Sequence, residues 1–142
     1  MLELQIHLNQ NLPGSLFAAM KRCIKKCGSL PEHYLFSACE KHLRDALEEV
    51  KINSVVDVDA VQKLTAAFLD VKVGFANLPK NAQVGLKAAM YYFALDEDDE
   101  PDFSSANGFD DDVKVSNVCL VFAGREDLQI DLGRDLHQAQ NN

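Results

Sequence analysis

The sequence predicts a mainly α-helical domain: a bundle of about five helices with a short two-stranded antiparallel ribbon formed by the N- and C-terminal segments. Three observations lead there. Apolar residues recur at three-four spacing, as in Leu35, Ala38, Cys39, Leu43, Ala46, Leu47 and Val50, the stripe of a helix that buries one face. Helix punctuation, with Pro near a start and Gly or Pro past an end, falls between such stretches. No internal repeat and no Gly/Ser linker divides the 142 residues. Residues 1–136 therefore read as a single helical domain, long enough to bury roughly two thirds of the unfolded surface, and 137–142 as a frayed tail.

Leu2, Leu4, Ile6 and Leu8 alternate with Glu3, Gln5 and His7, a period of two that reads as a strand. The pattern returns in Leu128, Ile130 and Leu132. A lone pair of strands is marginal in water, so this ribbon needs the helices, or a second copy of the chain, to lie on. The first helix runs from about Pro13 to Cys27, stopped by Gly28. Ser29-Leu30-Pro31-Glu32 matches a capping box, in which Ser29 and Glu32 satisfy each other's orphan backbone donors. The next helix carries the stripe from Leu35 to Val50. Asp57 or Asp59 caps a third, with Val61, Leu64, Phe68, Val71 and Phe75 inward, ended by Leu78-Pro79. A fourth runs from about Asn81 to Leu95 with Leu86, Ala89, Met90 and Phe93 on one face. The fifth starts at Asp110 or Asp111 and carries Val115, Val118, Val121 and Phe122 to Gly124.

Composition narrows the function classes. Hydrophobic residues make up 47% and charged residues 25%, an ordinary globular balance. No apolar run approaches the ~18 residues of a spanning helix, and Met1-Leu2-Glu3-Leu4 lacks the basic start and apolar core of a signal peptide. A soluble, cytoplasmic protein without stable membrane insertion is the expectation. The net charge of −8 disfavours nucleic acid and anionic lipid as partners. Cys23, Cys27, Cys39 and Cys119 do not form a disulfide framework in a chain this large, and without a CxxC pair they read as buried thiols rather than a zinc site.

The chemistry-bearing stretch is Asp96 to Asp112, which holds nine carboxylates. Asp110, Asp111 and Asp112 sit where a helix begins, and the positive dipole end favours each by ~0.3–1 kcal/mol. Asp96, Glu97, Asp98, Asp99, Glu100 and Asp102 follow a helix C-terminus, where the dipole is negative, and they repel one another. Solvation and salt, a divalent cation or a basic partner could compensate. Asp98, Asp102 and Asp111 are the candidate ligands for Ca²⁺ or Mg²⁺, although Pro101 stands where an EF-hand loop has its glycine. Lys21, Arg22, Lys25 and Lys26 place four positive charges within six residues; they could meet the acidic stretch in the same molecule or in a neighbouring copy.

Asp98, Pro101, Asp102, Gly108, Asp111 and Asp112 also form a turn motif, with Pro101 fixing φ, Gly108 permitting φ above zero, and the aspartates capping turn amides. Together with Leu78-Pro79, Ala89, Tyr92 and Phe103, in register, these residues resemble the YkvA-like family, a small helical domain of unknown function. The resemblance covers 78–121, about a third of the chain, and implies a helical fold more than an activity. Family members are often linked to membranes. Here Asp96, Asp99, Glu100, Ser104, Ser105 and Asn107 stand at positions that are usually apolar or Pro, so the features that would suit lipid are replaced by charge and hydroxyls.

No nucleophile elbow, P-loop, zinc-protease helix or dinucleotide fingerprint occurs. An exposed run of charge is a poor setting for paired-carboxylate acid–base chemistry. The expectation is a non-catalytic module acting through a protein partner or as a homo-oligomer. A divalent-cation-binding domain built on 96–112 is the alternative, and an enzyme comes after that.

Overall fold

The computed structural model describes residues 1–96 and 108–133. Those residues hold six α-helices: α1 (Leu2–Asn11), α2 (Gly14–Cys27), α3 (Glu32–Glu49), α4 (Val58–Lys72), α5 (Lys80–Ala94) and α6 (Asp110–Phe122). Two 3-10 turns, Phe75–Asn77 and Glu126–Leu128, complete the order. The mainly helical class is as the sequence predicts.

α5 is the axis of the bundle. Ala82, Gly85, Leu86, Ala88, Ala89, Met90, Tyr92 and Phe93 are all buried, so this helix is covered on most sides, and α1, α2, α3 and α6 pack on it. Its small residues let neighbours come close. A Cβ on Gly85 would stand 3.1 Å from Leu4 Cδ1, so α1 owes its seat on α5 to a missing side chain. At the other end Phe93 gathers an aromatic cluster: the rings of His42 from α3, Phe68 from α4 and Phe109 before α6 lie 4.9, 6.0 and 6.0 Å away. Such tilted and edge-on pairs add to plain burial.

The terminal ribbon does not form. Leu2 to Asn11 is helical, with Leu4 and Leu8 fully buried and Leu2 and Ile6 facing out. The same letters that alternate at two also place Leu4, Leu8 and Leu12 at four. Leu, Glu and Gln are good helix formers, and a single β-branched residue, Ile6, is weak support for a strand. His7 Nε2 lies 3.1 Å from the Val118 carbonyl, so α1 is tied to α6 instead. The segment after Leu128 is held by side chains rather than a ladder. Asn117 Nδ2 donates to the Ile130 carbonyl at 3.0 Å while its Oδ1 accepts from the Ile130 amide at 2.7 Å. That one amide does for Ile130 what a neighbouring strand would. Lys63 Nζ donates to the Asp131 carbonyl at 2.9 Å.

Two further corrections concern helix ends and faces. The Ser29–Glu32 capping box is absent: Pro31 is the cap residue of α3, with no side-chain cap bond, and its carbonyl accepts from Tyr34 and Leu35 at 3.1 and 3.4 Å. In α6, Val113, Val115, Ser116, Cys119 and Leu120 are buried, whereas Val118, Val121 and Phe122 are half-buried. α6 is turned from the expected stripe because α4, α5 and α1 share its surface. The α4 cap is Asp57, whose Oδ1 accepts from Ala60 N at 3.1 Å; Asp59 instead pairs with Lys63 at 3.2 Å. The expected tail, 137–142, lies outside the described residues.

All four cysteines are free and buried. Burial is the main cause that lifts every thiol above its ordinary 9.0: Cys23 and Cys119 go up to about 12, and Cys27 and Cys39 also rise. The native protein thus keeps thiol protons that the unfolded chain sheds. This contribution is complete below about pH 9 and declines as pH climbs toward the native values. Between about pH 8 and about pH 10 the wild type should lose on the order of 1 kcal/mol more stability than Cys39→Ala, measured by urea unfolding of both proteins at each pH.

Candidate functional site: the anchors of the acidic stretch

The acidic stretch begins just after α5 and ends in the first turn of α6, and its residues 97–107 lie outside the described ones. At the departure point the amides of Leu95 and Asp96 both donate to the Tyr91 carbonyl, at 2.9 and 2.8 Å. This carries Asp96 to the side of α2. There Arg22 Nη2 donates to Asp96 Oδ2 at 3.0 Å; the carboxylate is 3% exposed and the guanidinium side 47%. A carboxylate at a helix C-terminus faces the wrong end of the dipole, and the Arg22 charge offsets that. The buried Cys23 thiol, raised first by desolvation, also feels the Asp96 carboxylate.

At the return point the chain is held by packing. Phe109 is fully buried, and Asp110 and Asp112 are 5% and 1% exposed. Phe109, not an aspartate, occupies the cap position, and Asp110, Asp111 and Asp112 fill the first turn of α6, where the positive dipole end favours acid groups. His42 lies edge-on to Phe93 and Phe109, with centroids 4.9 and 5.8 Å away, and so helps to seat this turn. The sequence carries a signal for that role: His42 shares the apolar side of α3 with Leu35 and Cys39.

Of the basic cluster, Arg22 meets the acidic stretch. Lys21 lies over the Phe17 ring at 4.9 Å, and Lys25 and Lys26 are exposed in the last turn of α2. Of the turn motif, Gly108, Asp111 and Asp112 are placed at the head of α6, with Gly108 and Asp111 half-buried. Asp98, Pro101 and Asp102 lie outside the described residues. Among the described residues no group of three or more His, Cys, Asp and Glu side chains is arranged to hold a metal ion. No helix among them is long and apolar enough to cross a membrane. Cys119 is the thiol that spacing alone did not join to the others: it shares surroundings with Cys23 and Cys27, both of which raise it after desolvation.

Neither protein-family models, curated proteins nor solved structures match this chain.

The arrangement makes Arg22, although exposed, an electrostatic support for the buried Asp96 carboxylate. Arg22→Met would leave the Asp96 carboxylate buried beside its helix end, at a cost of about 1–2 kcal/mol after allowance for the exposed guanidinium. Arg22→Met combined with Asp96→Asn should cost less than the sum of the two single changes. Urea midpoints of the four proteins by circular dichroism give this coupling directly, and strict additivity would deny it.

Proposed function

We propose that this chain is a non-catalytic helical module that acts by binding protein, with a second copy of itself as the partner its surface fits best. The observation that carries the reading is the Arg22–Asp96 contact. It places the start of the acidic stretch against α2, and Lys25 and Lys26 follow Arg22 by three and four residues, hence on the same side of the helix. The acidic stretch thus starts beside a basic helix face. Under two-fold symmetry such a face is self-complementary, since the basic stripe of one copy meets the acidic stretch of the other. The YkvA-like resemblance of 78–121 belongs to this reading as well. It is supported by the position of Leu78-Pro79 directly before α5 and of Asp111-Asp112 in the first turn of α6. A cytoplasmic setting goes with it.

Mixing two differently tagged copies should give co-capture that weakens between ~50 mM and ~500 mM salt, as charges within a Debye length of water are screened. Lys25→Glu with Lys26→Glu should abolish it while leaving the circular dichroism spectrum unchanged. Light scattering that finds a strict monomer at ~1 mM, where even contacts of ~4 kcal/mol would register, removes self-association from the reading.

A second reading, Ca²⁺ or Mg²⁺ held by Asp98, Asp102 and Asp111, draws on the burial of Asp110 and Asp112 on either side of Asp111. These carboxylates are fixed on the bundle, so a cation would find part of its oxygen set already ordered. Binding to the native state alone raises the melting temperature by mass action. Millimolar Ca²⁺, Mg²⁺ or Mn²⁺ should therefore raise the melting temperature of EDTA-treated protein, and Asp111→Asn should remove most of the rise. A melting curve indifferent to all three ions sinks this reading.

A further inference from the structure

A concavity lies away from the anchors of the acidic stretch, where the turn between α2 and α3 meets the flank of α5. It has a volume of about 350 Å³, within the range that accepts small organic ligands. Cys27, Phe75 and Val84 give it an apolar wall, and the first two are 1% and 2% exposed. Lys80 and Lys87 line it from α5. They are seven residues apart, two turns of one helix face or ~10 Å along the axis, so both ammonium groups can reach one occupant.

Three observations give this groove a sign. The chain as a whole carries a net charge of −8, and Lys41, Lys51 and Lys63 each pair with a carboxylate. Lys80 and Lys87 have no such partner among the described residues. The Lys87 ammonium is also close enough to pull the Cys27 thiol downward, against the larger upward push of burial. Finally, Pro31, Glu32 and His33 bring the first turn of α3 to the rim. That turn has no side-chain cap, and since the Tyr34 amide already donates to the Pro31 carbonyl, its open leading amides are those of Glu32 and His33. Among the described lining residues the opposing carboxylate is Glu32, which competes with an incoming anion for the same positive charge. Gln83 does not compete, because its Nε2 is spent on the Ala76 and Leu78 carbonyls, at 3.3 and 2.9 Å, and braces the wall.

We propose that this groove binds a small organic anion: an oxyanion head, carboxylate or phosphate monoester, held by Lys80, Lys87 and the start of α3, with an apolar body against Cys27, Phe75 and Val84. The proposal is independent of the charged face on α2, so the fate of either idea leaves the other intact. The apolar wall alone would accept a neutral molecule. The lysine pair and the free amides select the charged one, since hydrogen bonds to ionised groups are the strong ones.

The test is an amide-resolved NMR titration of the full chain with three probes of one shape: phenyl phosphate, benzoate and benzyl alcohol. The anions should shift the amides of Gly28, Glu32, His33 and Lys87, and the alcohol should leave them nearly unmoved. Whichever anion binds tighter identifies the head group. Lys80→Gln with Lys87→Gln should weaken binding by about tenfold or more with its spectrum otherwise retained. Glu32→Gln should act in the opposite direction and tighten binding roughly two- to threefold, the worth of one exposed like charge removed. A purely structural role for these side chains predicts no such opposed pair of effects. The proposal is overturned if the alcohol moves the same amides as strongly or if the shifts fall elsewhere. It is equally overturned if the lysine variant binds like wild type, or if neither anion saturates by ~10 mM, where a contact worth under ~3 kcal/mol has no specificity to offer.

Discussion

The constraint on which the rest depends is that α5 must be buried on nearly every side. A helix apolar over most of its circumference has no solvent face to offer, so four other helices have to enclose it. Side-chain size decides which helix lies where. Gly85 and the alanines at 82, 88 and 89 let neighbouring backbones approach closely, while Phe93 at the C-terminal end fills the space where α3, α4 and the head of α6 converge. Interiors pack at crystal-like density, so these alternatives are exclusive. A larger residue at 85 would meet Leu4, and a smaller one at 93 would leave a void among three rings. The first would press on Leu4 of α1, and the second would loosen the seat of the α6 first turn.

This explains which parts of the fold were legible in the sequence. α2 to α5 each face the core along one long stripe or are wholly enclosed, and both conditions leave a plain mark in the pattern of apolar residues. α1 did not, because Leu2, Leu4, Ile6 and Leu8 satisfy a period of two and, through Leu4, Leu8 and Leu12, a period of four. Local pattern cannot choose between them. Part of the answer lies at Gly85, eighty-one residues beyond Leu4, where an added Cβ would stand 3.1 Å from Leu4 Cδ1. The C-terminal strand failed for a related reason: Asn117 supplies both hydrogen bonds that Ile130 would have sought from a partner strand, and nothing in the residues from 128 to 132 announces that. In α6 the helix itself was legible and its orientation was not, since three neighbours divide its surface and no single stripe records them all.

The candidate site was legible as composition and as an electrostatic problem. Nine carboxylates between 96 and 112, six of them beyond a negative helix end, demand compensation, and the run from Lys21 to Lys26 was the obvious source. What the sequence could not supply was the division of labour within that run. Arg22 is consumed at the anchor and Lys21 turns onto Phe17, whereas Lys25 and Lys26 remain outward. The two ends of the acidic stretch are secured by different physics. At Asp96 a specific cation answers a local charge, and at Asp110 to Asp112 the positive end of α6 and the aromatic seat around Phe109 contribute. Salt weakens the first kind of support more than the second, because a half-exposed guanidinium is screened and a packed ring is not.

Both the anchor and the lysine groove are built on the α2–α5 pair, and their order along the chain fixes how the two helices run. Arg22 pairs with the residue that follows α5, whereas Cys27 shares the groove with Val84 and Lys87, earlier in α5. Advancing along α2 therefore means retreating along α5, so the helices are antiparallel and the two features sit at different levels of one packed interface. Ala19, Met20, Cys23 and Cys27 are the buried residues of the α2 half that reaches the anchor and the groove. For a ligand in the groove to act on the acidic face, this interface would need two arrangements that the ligand tells apart. A close-packed seam of small and medium side chains, with Cys23 and Cys27 one turn apart within it, provides one arrangement. On the two proposals above, the shared helices set the distance between two charge-reading surfaces rather than carry a signal between them.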